Sequence, residues 1–240
     1  ISTPEEFAAF GEYMTRSLWN YPNKTVRLAA DMDMSAHKWI TPVNEQFGSY
    51  FSGVFDGDGH KISGLTVVPA EEGEGYDYKR VVAGLFGTVR NAEIRDLTLD
   101  ETCRVEVSGT YYFSFGDLDL EIGAIAAVGD ESRFIRCVNR ADVVVTSVIW
   151  GSEIHETICS VSGIVAHADD MKLIGCSNEG HMTVDVHSDV VDIRVSGLVG
   201  RCGPVYGKEN RIVSCTNRGN IFVSGNTSGS VSVGGISSNY

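Results

Sequence analysis

Apolar and polar residues alternate along many short stretches of the chain. β-Branched residues stand at every second position of these stretches, and glycine or asparagine bounds them. This period of two is typical of short strands with one buried face. The clearest examples are Met182, Val184 and Val186, Ile221 and Val223, Val143 and Val145, and Val105 and Val107. The pattern therefore predicts an all-β chain built from many short strands.

The strand-like stretches recur at a nearly constant interval. In each unit a small residue precedes an apolar pair, and these anchors are spaced by 40, 39, 34 and 38 residues. Repeats of this length are typical of solenoids, in which each unit buries its apolar face against the next. The anchors are Gly84, Ala124, Gly163, Gly197 and Gly235. We align Gly53 with Gly84 as a sixth anchor.

The repeat predicts a single-stranded parallel β-helix. We expect one β-helix domain over residues 1–240, with coils of about 34–40 residues filling residues 25–240. The anchors correspond to about five to six coils with three short strands each. Three short strands need fewer residues than one unit contains, so we expect the surplus to leave the rod as loops.

A second motif, Cys-x-Asn, recurs in the middle units at intervals of 39 residues. On stacked coils the asparagine amides lie one above another and can hydrogen-bond along the axis. The cysteines are expected to be small buried thiols, because stacking on one face disfavours disulfide geometry. A disulfide between neighbouring coils is the alternative. These structural positions are Cys137, Cys176 and Cys215, with Asn139, Asn178 and Asn217.

The first residues predict a helix that covers the first coil. Thr3 is a candidate N-cap, Pro4 suits the first turn, and Glu6 completes a capping box. An exposed coil edge would otherwise present unpaired strands, and Phe7, Phe10, Met14 and Leu18 form an apolar face that can cover it. We therefore expect a capping helix within residues 1–20. The C-terminal coil has no such cover, so we expect further chain or a partner there.

Composition narrows the classes of partner. The 240 residues include 19 basic and 32 acidic side chains, for a formal net charge of −13. Nucleic acid is not an expected partner, because phosphate binding needs a basic surface. No uncharged apolar run approaches the about 20 residues that a membrane span requires. No motif points to a cofactor.

The stretch FDGDGHKISGL, residues 55–65, is the densest group of metal-ligand side chains. Asp56 and Asp58 are weak candidates for a cation site, with Asp31 and Asp33 approaching from the preceding coil. The ligand spacing of a calcium loop is missing. We therefore favour a turn of aspartate and glycine with a solvent-facing histidine, and predict no metal site.

Several motifs together resemble a known family. They are FSGVFDGDGHKISGLTV, GLFGTVRNAEIRDLTL, SGIVAHA and SGLVGRC, with the opening residues Glu5 to Trp39. The chain is similar over nearly its whole length to the GLUG-motif repeat surface proteins of gut anaerobic bacteria. That resemblance implies a right-handed, pectate-lyase-like β-helix, export, and a place on the cell surface. The family supplies no catalytic residues to transfer.

The expected loops fall at one corner of successive coils and carry many aromatic residues. Exposed rings beside carboxylates suit sugars, because aromatic faces pack on C–H faces while acids accept hydroxyl hydrogens. Two alternatives are that the rings pack the loops against the rod, or that they form a protein interface. The candidate ligand-binding residues are Tyr76, Tyr78, Tyr111, Tyr112, Phe115 and Trp150.

No set of residues predicts catalysis. Asp185 and Asp189 flank His187, but the corresponding positions one coil later are Ser224, Asn226 and Ser228. We therefore expect a non-catalytic, extracellular adhesion or binding module, whose partners are glycans or a host surface protein. The alternative is a polysaccharide lyase or glycoside hydrolase on a β-helix. The third hypothesis is a spacer rod within a larger surface protein.

Overall fold

The structure of the protein is a computed structural model. It describes residues 1–16, 20–42, 50–72, 78–113, 116–151, 154–189, 191–203 and 209–238.

One helix, α1, spans Pro4–Arg16 and covers the first turn of the solenoid. The Glu6 amide donates to Thr3 Oγ1 at 3.2 Å, and the Ser2 amide donates to Glu6 Oε2 at 2.7 Å. Phe7 is fully buried and stacks on Trp39, with 4.7 Å between ring centroids. The capping helix predicted from the sequence is therefore present, although Leu18 lies outside the described residues. Within the described part of the chain, no helix is long and apolar enough to cross a membrane.

The chain makes six passes around the solenoid. The first pass has β1 (Thr25–Arg27), β2 (Met32–Asp33) and β3 (Lys38–Ile40). The second has β4 (Val54–Asp56), β5 (Lys61–Ser63), β6 (Thr66–Val68), β7 (Ala70–Glu72), β8 (Tyr78–Ala83) and β9 (Phe86–Arg90). The third has β10 (Glu93–Arg95), β11 (Thr98–Leu99), β12 (Arg104–Phe113), β13 (Gly116–Gly123) and β14 (Ala126–Asp130).

The later passes repeat this order. The fourth has β15 (Arg133–Ile135), β16 (Val138–Asn139), β17 (Asp142–Gly151), β18 (Ile154–Ser162) and β19 (Val165–Asp169). The fifth has β20 (Lys172–Ile174), β21 (Ser177–Asn178), β22 (Met182–Ser188), β23 (Val191–Ser196) and β24 (Val199–Cys202). The sixth has β25 (Arg211–Val213), β26 (Thr216–Asn217), β27 (Ile221–Asn226) and β28 (Val231–Gly234).

Equivalent strands of successive passes form five sheets. Sheet 1 is β1-β4-β10-β15-β20-β25, sheet 2 is β2-β5-β11-β16-β21-β26, and sheet 3 is β3-β6-β12-β17-β22-β27. Sheet 4 is β7-β8-β13-β18-β23-β28, and sheet 5 is β9-β14-β19-β24. The described pairings are parallel except that of β7 with β8. The predicted parallel β-helix is confirmed, but it comprises about four complete turns with an incomplete pass at each end. The complete turns have five strands rather than three, and the second pass has six because it also contains β7.

The described residues of the segments expected to form loops at one corner instead lengthen the strands of sheets 3 and 4. β12 and β17 pair in register over ten residues, from Arg104 opposite Asp142 to Phe113 opposite Gly151. Tyr111 and Ile149 are buried between the two sheets, so the extended strands form two layers. Surplus residues of similar length in neighbouring passes hydrogen-bond to each other, because an unpaired backbone group is costly to bury.

The alignment of Gly53 with Gly84 is wrong. Val54 pairs with Glu93, so Gly53 precedes sheet 1, whereas Gly84 lies between sheets 4 and 5. The register is set by the side chains that fill the interior. Phe55 lies beside Ile94, and both are fully buried.

A ladder of asparagine amides runs along the solenoid axis. Asn139 Nδ2 donates to Asn178 Oδ1 at 2.8 Å, and Asn178 Nδ2 donates to Asn217 Oδ1 at 2.8 Å. Two of the anchor glycines, Gly163 and Gly197, pack directly against this ladder. A Cβ atom on Gly163 would lie 2.3 Å from Asn178 Cγ, and one on Gly197 would lie 2.3 Å from Asn217 Cγ. The two repeated sequence motifs are thus contact partners across the interior. Beside the ladder, Cys137, Cys176 and Cys215 are free thiols, as are Cys103, Cys159 and Cys202.

The two ends of the solenoid differ. At the first pass α1 packs over the interior, whereas in the sixth pass Val231 and Val233 are about half exposed. Both continue the buried positions of Ile193 and Val195, with which they pair. Apolar interior surface is therefore exposed at the sixth pass.

Candidate functional site

Asp56 of the stretch FDGDGHKISGL is the centre of an arginine–carboxylate cluster on the outer face of sheet 1. Asp56 lies in β4 between Arg27 of the first pass and Arg95 of the third, which occupy the same position of their strands. Arg95 donates to Asp56 Oδ2 at 2.8 Å, and Arg27 Nε donates to the same oxygen at 3.2 Å. Asp58 has φ of 52°, a left-handed conformation that aspartate tolerates in turns. The stretch thus forms a turn, and the ion pairs of its Asp56 with Arg27 and Arg95 link the first three passes.

This arrangement leaves little room for a metal ion at the two candidate aspartates. Two arginines already neutralise Asp56, and no group of three or more His, Cys, Asp or Glu side chains among the described residues is placed to hold a metal. Asp31 does approach from the preceding pass. Its Oδ1 lies 3.1 Å from His60 Nδ1 and accepts a hydrogen bond from the Lys61 amide.

We expect Asp56→Asn to lower the free energy of unfolding at pH 7 by about 1–3 kcal/mol, because two arginines lose their counter-charge. The hydrogen bond from Arg95 holds the pKa of Asp56 below its usual range. Its stabilisation is therefore present above the ordinary aspartate pKa and is lost as pH falls through the lower folded value. Urea denaturation at a series of pH values from 7 to 2.5 measures this, and a difference from wild type that does not shrink at all below the ordinary aspartate pKa would contradict it.

The structure separates the six aromatic candidates. Trp150, in β17, is 47% exposed on the outer face of sheet 3. Tyr111, in β12, is only 7% exposed because its position faces the interior between sheets 3 and 4. It therefore packs the two layers rather than offering its ring to a ligand. Tyr78 and Tyr112 lie in β8 and β12, but their side chains are outside the described part. Tyr76 and Phe115 fall outside the described residues altogether.

Trp150 stands on a flat surface with hydrogen-bonding neighbours. Trp150 lies opposite Tyr112 of β12, and Ile149 beside it pairs with Ser188, the residue before Asp189. We name this surface the sheet 3 platform, and its neighbouring side chains point outward at regular strand spacing. It comprises Ser108, Thr110, Thr146, Val148, Trp150, Asp185, His187, Asp189, Ser224 and Asn226.

The polar side chains of the platform orient each other. His187 Nδ1 lies 2.6 Å from Asn226 Oδ1, and because the amide oxygen is an acceptor, Nδ1 carries the proton. His187 Nε2 lies 3.4 Å from Asp185 Oδ1, and Ser224 Oγ donates to the same carboxylate oxygen at 2.8 Å. The sixth and fifth passes thus hold a fixed set of donors and acceptors beside the exposed indole ring.

A second cluster, which sequence reasoning missed, joins sheets 4 and 5. Glu121 of β13 is buried, and its carboxylate contacts three basic residues. Arg80 donates to Oε2, His167 Nδ1 lies 2.8 Å from Oε1, and Arg201 lies 3.5 Å from Oε1. Burial alone would raise the pKa of Glu121, but Arg80, His167 and Arg201 together lower it to about 2.

Asp119 lies on the same strand as Glu121 and borders this cluster. Its carboxylate lies 3.8 Å from Arg201, and burial, followed by the charge of Glu121, raises the pKa of Asp119. The Glu121 carboxylate is enclosed by Arg80, Arg201 and His167 and is almost inaccessible to solvent, so the cluster acts as an ionic clamp between two sheets. The acidic residues at every second position of DLDLEIG were the available signal.

Comparison with known proteins finds only distant structural similarity. No family model matches the chain, and no curated protein matches it. One similar solved structure is a Bacteroides ovatus protein with the provisional name immunoglobulin A1 protease. It is 13% identical with a TM-score of 0.43, and the match covers 99% of this chain and 83% of that chain. Another, named IgA1 protease, is 14% identical with a TM-score of 0.28. That match covers 95% of this chain but 21% of the other, so this chain spans about a fifth of its length.

Proposed function

We propose that the protein is a non-catalytic binding module of the bacterial cell surface that holds glycans on the sheet 3 platform. The observation that carries this proposal is the half-exposed indole of Trp150 on a flat outer face. A large exposed aromatic side chain is unusual on a surface that is otherwise polar, and such residues are enriched at binding sites.

The chemistry of the platform suits a sugar ring. The face of an indole carries negative electrostatic potential and attracts the weakly positive C–H groups of a pyranose. His187 lies on β22, where it pairs with Val148, and Asp189 follows Ser188, the last residue of that strand and the partner of Ile149. Both positions are therefore about 5–8 Å from that of Trp150. Their carboxylate and imidazole groups can exchange hydrogen bonds with the hydroxyls at the edge of the same sugar.

The regular register of the strands at the site favours an extended chain over a single small molecule. Adjacent strands lie about 4.8 Å apart, so residues in register present similar groups at a regular interval along the solenoid. The resemblance to GLUG-motif repeat proteins supports a location outside the cell. The long in-register ladders are also compatible with a spacer rod that displays the platform away from the cell.

We expect Trp150→Ala to weaken glycan binding at least tenfold, because the stacking surface is removed while the backbone ladder is kept. The measurement is binding of the purified chain to an array of neutral and acidic polysaccharides, followed by calorimetry on the best ligand. Phe222→Ala is the matched control. Phe222 is 59% exposed on the outer face of the same sheet but lies outside the platform. Absence of any glycan ligand, or equal losses in both variants, would refute the proposal.

A further inference from the structure

The platform carries negative charge and, among its described residues, no lysine or arginine. Asp185 and Asp189 are its ionisable acids, and both reach solvent. Asp185 accepts a hydrogen bond from the Ser224 hydroxyl, and His187 Nε2 lies 3.4 Å from the same carboxylate oxygen. Asp185 pairs with Thr146, about 13 Å along the strand from the Trp150 position, whereas Asp189 follows Ser188, the partner of Ile149. A sugar chain that runs along the strands from Trp150 therefore passes both carboxylates.

We propose that the platform selects uncharged sugar chains and rejects glycans that carry carboxylate or sulfate groups. This inference rests on the proposed function and adds the ligand class. Proteins that bind carboxylates and sulfates normally use arginine, whose guanidinium forms paired hydrogen bonds with such groups. The outer face of sheet 3 does contain Arg104. That residue is paired with Glu106 at 3.2 Å, and it lies six residues before Thr110, about 20 Å away along the strand.

The expected size of the discrimination follows from Coulomb's law. An anionic group bound beside Trp150 would lie about 5–6 Å from the Asp189 carboxylate, and at an exposed site with high effective permittivity this repulsion weakens binding by about three- to tenfold. Asp185 acts in the same way on anionic groups farther along a bound chain. The net charge of −13 acts in the same direction over longer range. Because salt screens exposed charges, the discrimination should shrink as ionic strength rises.

A neutral sugar does not meet this repulsion and gains hydrogen bonds from the same residues. Carboxylates accept hydrogen bonds from hydroxyls, and charge-assisted bonds of this kind are stronger than neutral ones. Asp185 and Asp189 therefore favour hydroxyl-bearing ligands and disfavour acidic ones. A single pair of residues supplies both parts of the selectivity.

Pairs of ligands with one backbone test the inference. The first pair is oligogalacturonide in its methyl-esterified and de-esterified forms, and the second is cellohexaose and its C6-oxidised form. Affinities are measured by calorimetry at pH 8 in 50 mM and 500 mM NaCl. We expect the neutral member of a pair to bind at least tenfold more tightly in 50 mM salt, with the ratio falling in 500 mM salt.

The variant that probes the mechanism is Asp185→Asn, Asp189→Asn, which keeps acceptor oxygens and removes both charges. We expect its neutral-to-acidic affinity ratio to fall at least fivefold relative to wild type, whatever its absolute affinity. An unchanged ratio in this variant, with an unchanged melting temperature, would overturn the inference. Tighter wild-type binding of the acidic members would also overturn it and leave the proposed function standing. Failure of every glycan to bind wild type would refute the proposed function itself.

Discussion

Glu121→Gln is expected to lower the free energy of unfolding by about 3–5 kcal/mol at pH 7, the largest loss among single polar substitutions in this protein. The glutamine side chain has nearly the same shape but no charge. Arg80 and Arg201 would then lose the carboxylate that neutralises them, in a region sheltered from water, and His167 would lose the carboxylate that lies beside its Nδ1. Breaking a buried ion pair from one side is costly because the remaining charges keep their desolvation penalty.

The pH dependence follows from the direction of the pKa shift. The folded-state pKa of Glu121 is about 2, below its ordinary value of 4.5. Its stabilisation is therefore complete above pH 5 and is lost as pH falls through about 2. The difference in free energy of unfolding between wild type and Glu121→Gln should narrow as pH falls from 5 toward 2.

Asp119→Asn is the matched control, since Asp119 is two residues away on the same face of β13. The pKa of Asp119 is raised, so its ionised form costs stability at neutral pH and its neutral form does not. We expect this variant to be as stable as wild type or slightly more stable at pH 7. Urea denaturation of the three proteins decides the matter. If the two variants lost similar amounts of free energy of unfolding, the ion pairs of Glu121 would not be the cause of the loss.

Gly163→Ala is expected to destabilise the protein by about 3 kcal/mol, at the upper end of overpacking effects. The added methyl group would lie 2.3 Å from Asn178 Cγ and 2.4 Å from the carbonyl oxygen of Gly197. Neither neighbour can move freely. The first belongs to the amide ladder, and the second is backbone of the next pass. Relief of the clash would therefore displace the hydrogen bond between Asn139 and Asn178 as well.

The control for this prediction is Gly235→Ala, at the equivalent anchor of the last unit. A Cβ atom there meets nothing within 4 Å. We expect it to change the free energy of unfolding, measured by urea denaturation, by no more than about 0.5 kcal/mol. Equal free energies of unfolding for the two alanine variants would mean that contact with the asparagine ladder does not require glycine at position 163.

Features with a local signal were predictable from the sequence. The capping helix has its capping box within six residues, and the Cys-x-Asn motif repeats at an interval that places Asn178 over Asn139. The register of the second pass was not predictable, because FSGVF and VAGLF are alike in sequence and only the buried contact of Phe55 with Ile94 distinguishes them.

The extended strands and the ionic clamp were missed for a different physical reason. A polar, aromatic-rich segment becomes a strand only when the next pass supplies a partner of equal length, as β17 does for β12. Glu121 meets Arg80, His167 and Arg201 from three other strands, 41 to 80 residues away in sequence. Such contacts depend on the angle between two sheets, which residue periodicity does not encode.

In the isolated 240-residue polypeptide, the contrast between the covered first pass and the exposed sixth pass makes unfolding directional. In a stack where each turn touches only its neighbours, an uncovered outermost turn melts first and exposes the next. Amide exchange should therefore be fastest in β25–β28 and slow progressively toward α1. The platform spans this gradient, from β12 of the third pass to β27 of the sixth. A sugar chain that contacts Trp150 and Asn226 together would link the fourth pass to the sixth. Ligand binding should therefore slow the unfolding of the sixth pass and raise the force needed to unfold the solenoid.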